Sequence, residues 1–221
     1  ARRHTDTVLD GPVLDLVLPL HCGGCGAPAT RWCPACAREL FLRADDPRLV
    51  TPRLDPGVPV FTLGRYTGAR RSAIVAVKEH GRADLLAPLA GAVRQGISRL
   101  FQWGLLETPL TVVPAPTRAW AARRRGGDPV RRMAQAAVAG RPDVAVVPAL
   151  RSRGLTRDSV GLSRADRQRN IAGRVRLRRQ VTGPALVIDD VITTGATAAE
   201  SVRVLRAAGA SVLAVLTLAA A

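Results

Sequence analysis

The chain has 221 residues, enough for one α/β domain with a small appended module. Its formal net charge of +16 comes almost wholly from arginine, because Lys78 is the only lysine. A charge of this size favours polyanionic partners, either nucleic acid or phosphorylated metabolites, although a solvated basic surface accounts for it equally well. Only 3% of the residues are aromatic, so the charge comes without the stacking side chains that single-strand binders usually carry.

The apolar segments near the two ends are too short to cross a membrane, which takes about 20 apolar residues. Residues 14–20, LDLVLPL, are also too short for the core of a secretory signal. Residues 211–221 are typical of a buried last strand. We therefore expect a cytoplasmic protein without a membrane span.

All the cysteines lie in one short stretch with the spacing C-x2-C-x7-C-x2-C. Each C-x2-C turn aims two sulfur atoms at one point, and two such turns complete the tetrahedral sulfur site that zinc prefers. Two disulfides or four free thiols are the alternatives, and disulfides are rare in cytoplasmic proteins. The spacing predicts a structural zinc site with a closed ligand shell, and His21 is a weaker candidate ligand beside it. The four predicted ligands are Cys22, Cys25, Cys33 and Cys36.

After the cysteines, the sequence predicts a linker, a strand and two helices. Residues 37–57 contain charges and three prolines, which is typical of a linker. Residues 58–66 partly alternate as a strand does. Apolar residues at helical spacing follow over 69–81 and 84–104, with Asp84 as a candidate N-cap of the second helix.

From residue 110 onward, predicted strands alternate with predicted helices. This order predicts an α/β fold with a parallel sheet and helices on both faces, in which ligands bind at the carboxyl ends of the strands. A long polar stretch, residues 151–170, interrupts the alternation. The predicted strands are 110–115, 143–150, 173–178, 184–190 and 211–219, and the predicted helices are 129–140 and 196–210.

The segment 186–197, LVIDDVITTGAT, has the chemistry of a sugar-phosphate site. Two carboxylates follow a short apolar strand, where they can accept hydrogen bonds from adjacent ribose hydroxyls. The next turn enters a helix, whose first backbone N–H groups can hold a phosphate with help from the helix dipole. An ordinary strand end with an acidic turn and a threonine-rich cap is the alternative. The candidate binding residues are Asp189, Asp190, Thr193, Thr194, Gly195, Ala196 and Thr197.

This segment resembles the signature of the type I phosphoribosyltransferases, which hold phosphoribosyl diphosphate. The wider order of motifs resembles the ComF family, the late-competence relatives of those enzymes. That order is the four cysteines, then AIVAVKEHG, then VVPAP with a downstream RRRGGDPVRRMAQ, then LTRDSVGLSRADRQRNIAG, and finally the segment 186–197. The likeness spans nearly all of residues 14–221, and the cysteines and the RxxN element (Arg167 to Asn170) separate it from nucleotide-salvage enzymes.

The resemblance implies a zinc-ribbon module with a linker at residues 14–50 and a type I phosphoribosyltransferase-like domain at residues 51–221. It implies phosphoribosyl diphosphate as the ligand, with Mg²⁺ bound mainly through ligand oxygens and water. Asp189 and Asp190 become candidate catalytic residues, because carboxylates stabilise the positive charge that the ribose ring develops as diphosphate leaves.

Further basic residues become candidate diphosphate ligands through the same resemblance. Arg118 follows the first core strand in a turn that faces the diphosphate in the resembled fold, and a rigid proline turn is the alternative. The stretch 151–170 takes the place of a flexible lid, which would exclude water. Lys78 either points at the ligand or is a surface lysine. The arginines to test in the lid and in the basic run are Arg151, Arg153, Arg157, Arg123, Arg124 and Arg125.

Three functions are compatible with this sequence. The chain is an enzyme that transfers phosphoribose to an unidentified acceptor, or a DNA-uptake protein that contacts single-stranded DNA or other nucleic acid, or a non-catalytic sensor of phosphoribosyl diphosphate. Fold alone does not choose among them. The sequence contains no clear motif for a purine, pyrimidine or amine acceptor, and this weighs against any named salvage reaction.

Overall fold

The computed structural model describes residues 20–41, 43–117, 127–152 and 175–221. These residues form an α/β fold with one large sheet and one small one. In chain order the elements are α1 (Pro34–Leu40), β1 (Arg48–Leu49), β2 (Val60–Thr62), α2 (Gly68–His80), a 3-10 turn (Ala83–Leu85), α3 (Leu86–Gln102), β3 (Leu110–Pro114), α4 (Pro129–Ala137), β4 (Val144–Val146), β5 (Leu150–Ser152), β6 (Val175–Leu177), β7 (Gly183–Ile192), α5 (Ala196–Ala207) and β8 (Ala210–Ala220).

The large sheet has six strands in the order β1-β2-β8-β7-β3-β4. All neighbouring strands are parallel except β1, which runs antiparallel to β2 at one edge. Strands β5 and β6 form a separate antiparallel pair. The prediction of an α/β fold with a mostly parallel sheet is therefore confirmed, and β7 and β8 occupy its centre.

Helices cover both faces of the large sheet, because the central strands are apolar on both sides. On β7, Leu186 and Ile188 belong to the core beneath α2, α3 and α4. Ala185 and Val187 point the other way and pack against α5. This alternation is what a strand buried on both faces requires, and it continues into the acidic residues that follow.

Two predictions differ clearly from the structure: the extent of one strand and the cap of one helix. The predicted strand 143–150 is two strands in two different sheets, since β4 ends at Val146 and β5 begins at Leu150, after Pro148. Asp84 does not cap the second helix, because it accepts hydrogen bonds from Arg82 instead, at 2.8 and 2.7 Å.

Residues 37–57 are more ordered than the predicted linker. They contain the end of α1, the edge strand β1, and a stretch around Leu54 that contacts the loop after β7. The cysteine segment, residues 21–40, packs closely on the helices that follow it. Glu39 accepts a hydrogen bond from the backbone N–H of Ala69 at 2.8 Å, and Arg82 donates to the carbonyl of His21. No helix in the described ranges is long and apolar enough to span a bilayer.

Candidate functional site

The two neighbouring carboxyl groups of β7 lie on opposite faces of the sheet. The strand continues in regular register to its end, with Asp189 opposite Thr217 of β8. Successive side chains of a strand alternate between faces, so Asp189 lies on the α5 side and Asp190 on the α2 side. Asp189 lines a depression beside the loop that leads into α5, whereas Asp190 lines a separate cavity beside α2.

The depression beside Asp189 has a volume of about 290 Å³ and opens to solvent. This volume lies near the lower end of the range for small-molecule sites. The loop residues Thr193, Thr194 and Thr197 are exposed, so their hydroxyl groups are accessible to a ligand. The structure therefore brings Asp189 together with the predicted loop residues. The polar side chains and loop backbone around it come from Asp189, Thr193, Thr194, Gly195, Ala196, Thr197 and Thr217.

Gly195 is required by its conformation and by close packing behind the loop. Its φ angle is +83°, in the left-handed region that favours glycine. A Cβ atom at this position would collide with the carbonyl oxygen of Leu54 and lie 2.7 Å from Cβ of Pro52. The N–H of Leu54 also donates to the carbonyl of Thr194 at 2.8 Å. Segment 52–54 thus fixes the loop from the side opposite the solvent.

Helix α5 begins at this loop without a side-chain cap, because its N-cap residue is Gly195. The N–H of Ala196 contacts the hydroxyl of Thr194 at 3.4 Å. The N–H groups of a helix's first turn have no partner within the helix, and the dipole adds a partial positive charge there. The start of α5 can therefore hold an anion of the size of a phosphate.

The carboxyl group of Asp189 is held in an environment that disfavours its charge. Burial raises its pKa well above the ordinary value, and the neighbouring charge of Asp190 raises the pKa further. The backbone N–H of Asp190, which donates to Asp189 Oδ1 at 2.8 Å, and the positive charge of Lys78 both act in the opposite direction. The neutral form of Asp189, which can donate a hydrogen bond as well as accept one, is therefore more favoured than in an exposed carboxyl group.

Asp190 forms an ion pair with Lys78 across the α2 face of the sheet. The distance between Lys78 Nζ and Asp190 Oδ2 is 2.8 Å, and the side chains are 32% and 11% exposed. Burial lowers the pKa of Lys78, but the charge and hydrogen bond of Asp190 outweigh it, so that the pKa is raised. The pair lines a cavity that is otherwise apolar.

The end of β3 lies beside the part of β7 that carries the acid pair. The N–H of Ala115 donates to the carbonyl of Ile188 at 2.8 Å, and the hydroxyl of Thr117 donates to Asp128 at 2.8 Å. Arg151 lies in β5 with an exposed side chain. The other candidates from the diphosphate turn, the basic run and the lid lie outside the described residues: Arg118, Arg123, Arg124, Arg125, Arg153, Arg157, Arg167 and Asn170.

The four cysteines form a tight cluster of free thiols, with all four sulfur atoms within 4.8 Å of one another. Cys25 Sγ and Cys33 Sγ lie 3.6 Å apart, close to the separation of about 3.8 Å between ligands in a tetrahedron with zinc–sulfur bonds of about 2.3 Å. The cluster could thus bind a zinc ion. His21 lies outside it and hydrogen-bonds the carbonyl of Gly26 at 3.2 Å.

Backbone hydrogen-bond donors and closely packed side chains surround this cluster. Burial raises the pKa of Cys22, but backbone N–H groups, including that of Cys33 at 3.3 Å from Cys22 Sγ, lower it to about 6. Burial and the neighbouring thiols raise the pKa of Cys36. A first thiolate is therefore stabilised, whereas the last needs a nearby cation. Gly23 and Gly24 have no room for a Cβ, because Leu85 and Cys36 pack against them.

Two residues of this edge had only weak signals in the sequence. Thr217 is a polar residue within the apolar run of β8 that follows Ser211, and it lies opposite Asp189. Lys78 is the only lysine of an arginine-rich chain. Neither local pattern indicates a partner, because Lys78 and Asp190 are 112 positions apart in the sequence.

No protein-family model and no curated protein matches this chain.

Proposed function

We propose that the chain is a ComF-like protein whose type I phosphoribosyltransferase-like domain binds phosphoribosyl diphosphate, with a role in DNA uptake or nucleic-acid metabolism. The observation that carries this proposal is the depression at the end of β7. There, an uncapped helix start, three exposed threonines and the Asp189 carboxyl group surround one volume. An anion-binding helix start beside a carboxyl group matches the two ends of a ribose 5-phosphate.

In this proposal the 5-phosphate lies on the backbone N–H groups of Thr193–Thr197, and the ribose hydroxyls lie toward the acid pair. Asp189 reaches the sugar directly, since it lines the depression. Asp190 contributes negative charge from the other face of the same strand end. The Mg²⁺ that accompanies the diphosphate would neutralise its charge, bound mainly through ligand oxygens and water.

An enzymatic version of this function transfers phosphoribose to an acceptor. The bond between ribose C1 and the diphosphate oxygen breaks, diphosphate leaves with the electron pair, and the acceptor's lone pair forms the new bond to C1. Asp189 and Asp190 would stabilise the positive charge on the ribose ring as the bond breaks. A sensor would bind the same ligand without release of diphosphate, so a diphosphate-release assay with candidate acceptors separates these two versions.

Calorimetry with phosphoribosyl diphosphate and Mg²⁺ tests the proposed pocket. Replacement of both carboxylates, Asp189→Asn with Asp190→Asn, keeps their size and removes the charge that accepts hydrogen bonds. A hydrogen bond to a charged group contributes roughly 1.5–3 kcal/mol, so loss of the Asp189 hydrogen bond alone should lower the affinity of the double variant about tenfold or more.

The matched control is Asp143→Asn, which removes a carboxylate at the start of β4, paired there with Arg141. It should leave the affinity unchanged. Equal affinities of the wild type and the double variant would exclude this pocket, and no binding by the wild type would exclude the function itself.

A structural zinc ion held by the cysteine cluster is the second part of the proposal. It is supported by the convergence of four free thiols within 4.8 Å of one another, two of them 3.6 Å apart. A closed shell of four sulfur ligands leaves no position for a substrate, so this zinc would stabilise the fold and take no part in chemistry. Elemental analysis should find one zinc per chain.

Nucleic acid is a second candidate ligand because of the net charge of +16. Binding should occur through phosphate contacts with little sequence preference, so the affinity for single-stranded DNA should fall steeply as salt rises. The joint replacement of Arg123, Arg124 and Arg125 by alanine should make that salt dependence shallower. If no binding is detected at low salt, this candidate is wrong.

A further inference from the structure

Lys78 is in an unusual position for a surface helix residue. It is the only lysine in a chain with 33 basic residues, and its ammonium group lies 2.8 Å from a carboxyl group that is almost wholly buried. An ammonium group is a compact charge with three rotatable donors, whereas guanidinium is a wide planar fork. A position that must fit a charge into a narrow space therefore favours lysine over arginine.

The surroundings of this ion pair are narrow and apolar. Lys78 and Asp190 line a cavity of about 250 Å³, and the other lining side chains come from α2, α3, α4 and β8. An apolar wall weakens solvent screening, so the attraction within the pair is stronger than on an open surface. The apolar residues around the pair include Ile74, Leu86, Leu89, Val130, Met133 and Leu218.

The charged and titratable groups that act on this pair are few among the described residues. Besides Asp190 itself, Asp189 acts on Lys78 from the other face of β7, and Tyr66 acts on it from the segment before α2. On the opposite side of the strand, Lys78 and Asp190 in turn act on Asp189 with opposite signs. The single positive charge thus lies next to two adjacent carboxyl groups.

We infer that Lys78 is a positioning residue for the acid pair: its ion pair fixes the Asp190 carboxyl group on the α2 face, and its positive charge offsets the negative charge beside Asp189, which faces the ligand on the α5 face. This inference rests on the proposed function of the same site. Lys78 acts on the sugar-phosphate pocket through Asp190, without contact with the ligand. Without Lys78, the negative charge of Asp190 would act on Asp189 without compensation, which disfavours the charged form of Asp189.

The ion pair itself can be tested without any ligand. Because Lys78 is the only lysine, the chain labelled with ¹³C at lysine Cε gives one side-chain signal, whose shift with pH reports the titration of Lys78. In the wild type the midpoint should lie above the ordinary lysine pKa of about 10.4. In Asp190→Asn the midpoint should move to lower pH, because burial still lowers the pKa of Lys78 while the carboxylate that raises it is gone. Equal midpoints in the two proteins would overturn the inference.

The effect on the pocket is measured as the affinity for phosphoribosyl diphosphate with Mg²⁺ over a range of pH. Lys78→Met should weaken binding about tenfold near neutral pH, the size of one lost charged hydrogen bond. It should also shift the pH above which binding is strong to higher values. Lys78→Arg keeps the charge but not the compact shape, so its pH dependence should lie between those of the wild type and Lys78→Met. The control Arg71→Met removes an exposed positive charge from the same helix. It should change neither the affinity nor its pH dependence.

A double-mutant cycle separates the positioning role from direct contact. In the Asp190→Asn background, Lys78→Met should weaken binding by about threefold or less, because the carboxyl group through which Lys78 acts is already neutral. This double variant also leaves no unpaired buried charge, so it stays folded if the single variant does not. The full tenfold loss in both backgrounds would mean that Lys78 contacts the ligand, and the inference would then be wrong. If the wild type binds no phosphoribosyl diphosphate, the proposed function fails, while the NMR titration still decides the ion pair.

Discussion

The cysteine cluster and the loop of residues 193–197 are both small volumes surrounded by potential ligand groups, but they are built differently. In the cluster, four side chains of one chemical type converge within 4.8 Å, and two of them, Cys22 and Cys36, are buried. In the loop, the backbone supplies the donors, and segment 52–54 holds it from behind. Side chains of one type therefore indicate which ion binds, whereas a backbone site indicates only that its ligand is an anion.

The largest expected effect is on the cluster. Cys36→Ser replaces a buried thiolate ligand, and zinc content should fall from one per chain to none. Structural zinc contributes on the order of 10 kcal/mol in small zinc peptides, so the cysteine segment should unfold. The α/β core should stay folded with a lower melting temperature. Elemental analysis and limited proteolysis measure the two effects.

The control for this variant is Ala35→Ser, which adds a hydroxyl at an exposed position of the same helix, α1. It should leave zinc content and melting temperature as they are. A Cys36→Ser protein with one tightly held zinc would contradict the four-ligand site.

An intermediate effect is expected where the loop meets segment 52–54. Gly195→Ala must adopt a left-handed conformation, at about 1–2 kcal/mol, and must also displace Leu54 and Pro52, at roughly 1–3 kcal/mol. Denaturant unfolding should therefore show a loss of about 2–5 kcal/mol. Gly140→Ala is the matched control, since Gly140 has φ +85° with nothing within 4 Å of the added Cβ. Equal losses at the two positions would mean that segment 52–54 does not hold the loop.

The smallest effect is a gain of stability at Asp189. Its pKa is raised in the folded state, so the folded chain binds a proton more tightly than the unfolded chain does. Stability from this group is complete below the unfolded pKa, near 3.9, and is lost as pH rises through the folded pKa. Asn at position 189 does not ionise, so the Asp189→Asn variant keeps this stability as pH rises. Its melting temperature should therefore exceed that of the wild type at neutral pH, by about 2–4 °C for each kcal/mol of stability kept.

The same measurement on Asp143→Asn gives the opposite sign. The Arg141 guanidinium lowers the pKa of Asp143, so this substitution should slightly destabilise the chain above the unfolded carboxyl pKa. A melting temperature of Asp189→Asn below that of the wild type at every pH would contradict the raised pKa of Asp189. A carboxyl group that lowers stability yet is retained is typical of a binding site.

The sequence predicted those parts of the fold that depend on local pattern. The strand before the acid pair, the helix from residue 196 and the buried last strand lie within a few residues of their predicted bounds, because their apolar periodicity and Gly195 act locally. The spacing of the four cysteines likewise predicted their convergence. Where a residue's role depends on a distant partner, local pattern was insufficient.

Two residues and one segment illustrate that limit. Asp84 is of a residue type that often caps helices, but its carboxylate accepts a hydrogen bond from Arg82, two positions earlier. The pattern of residues 143–150 is continuous in apolar character, whereas the structure divides it between two sheets. Lys78 stands beside Glu79 in the helix, but its ion-pair partner is Asp190, which the packing of α2 on the sheet brings to it.

The contacts of the cysteine segment with helix α2 decide where this chain can be cut. Arg70 is a buried cation, compensated by the carboxylates of Asp46 and Glu39, and Glu39 also accepts the N–H of Ala69 at the start of α2. Expression of residues 51–221 alone would leave Arg70 buried without either carboxylate and would uncover Leu85, which Gly23 contacts in the full chain. An uncompensated buried charge beside newly exposed apolar surface favours aggregation, so the truncation to residues 51–221 would yield insoluble protein.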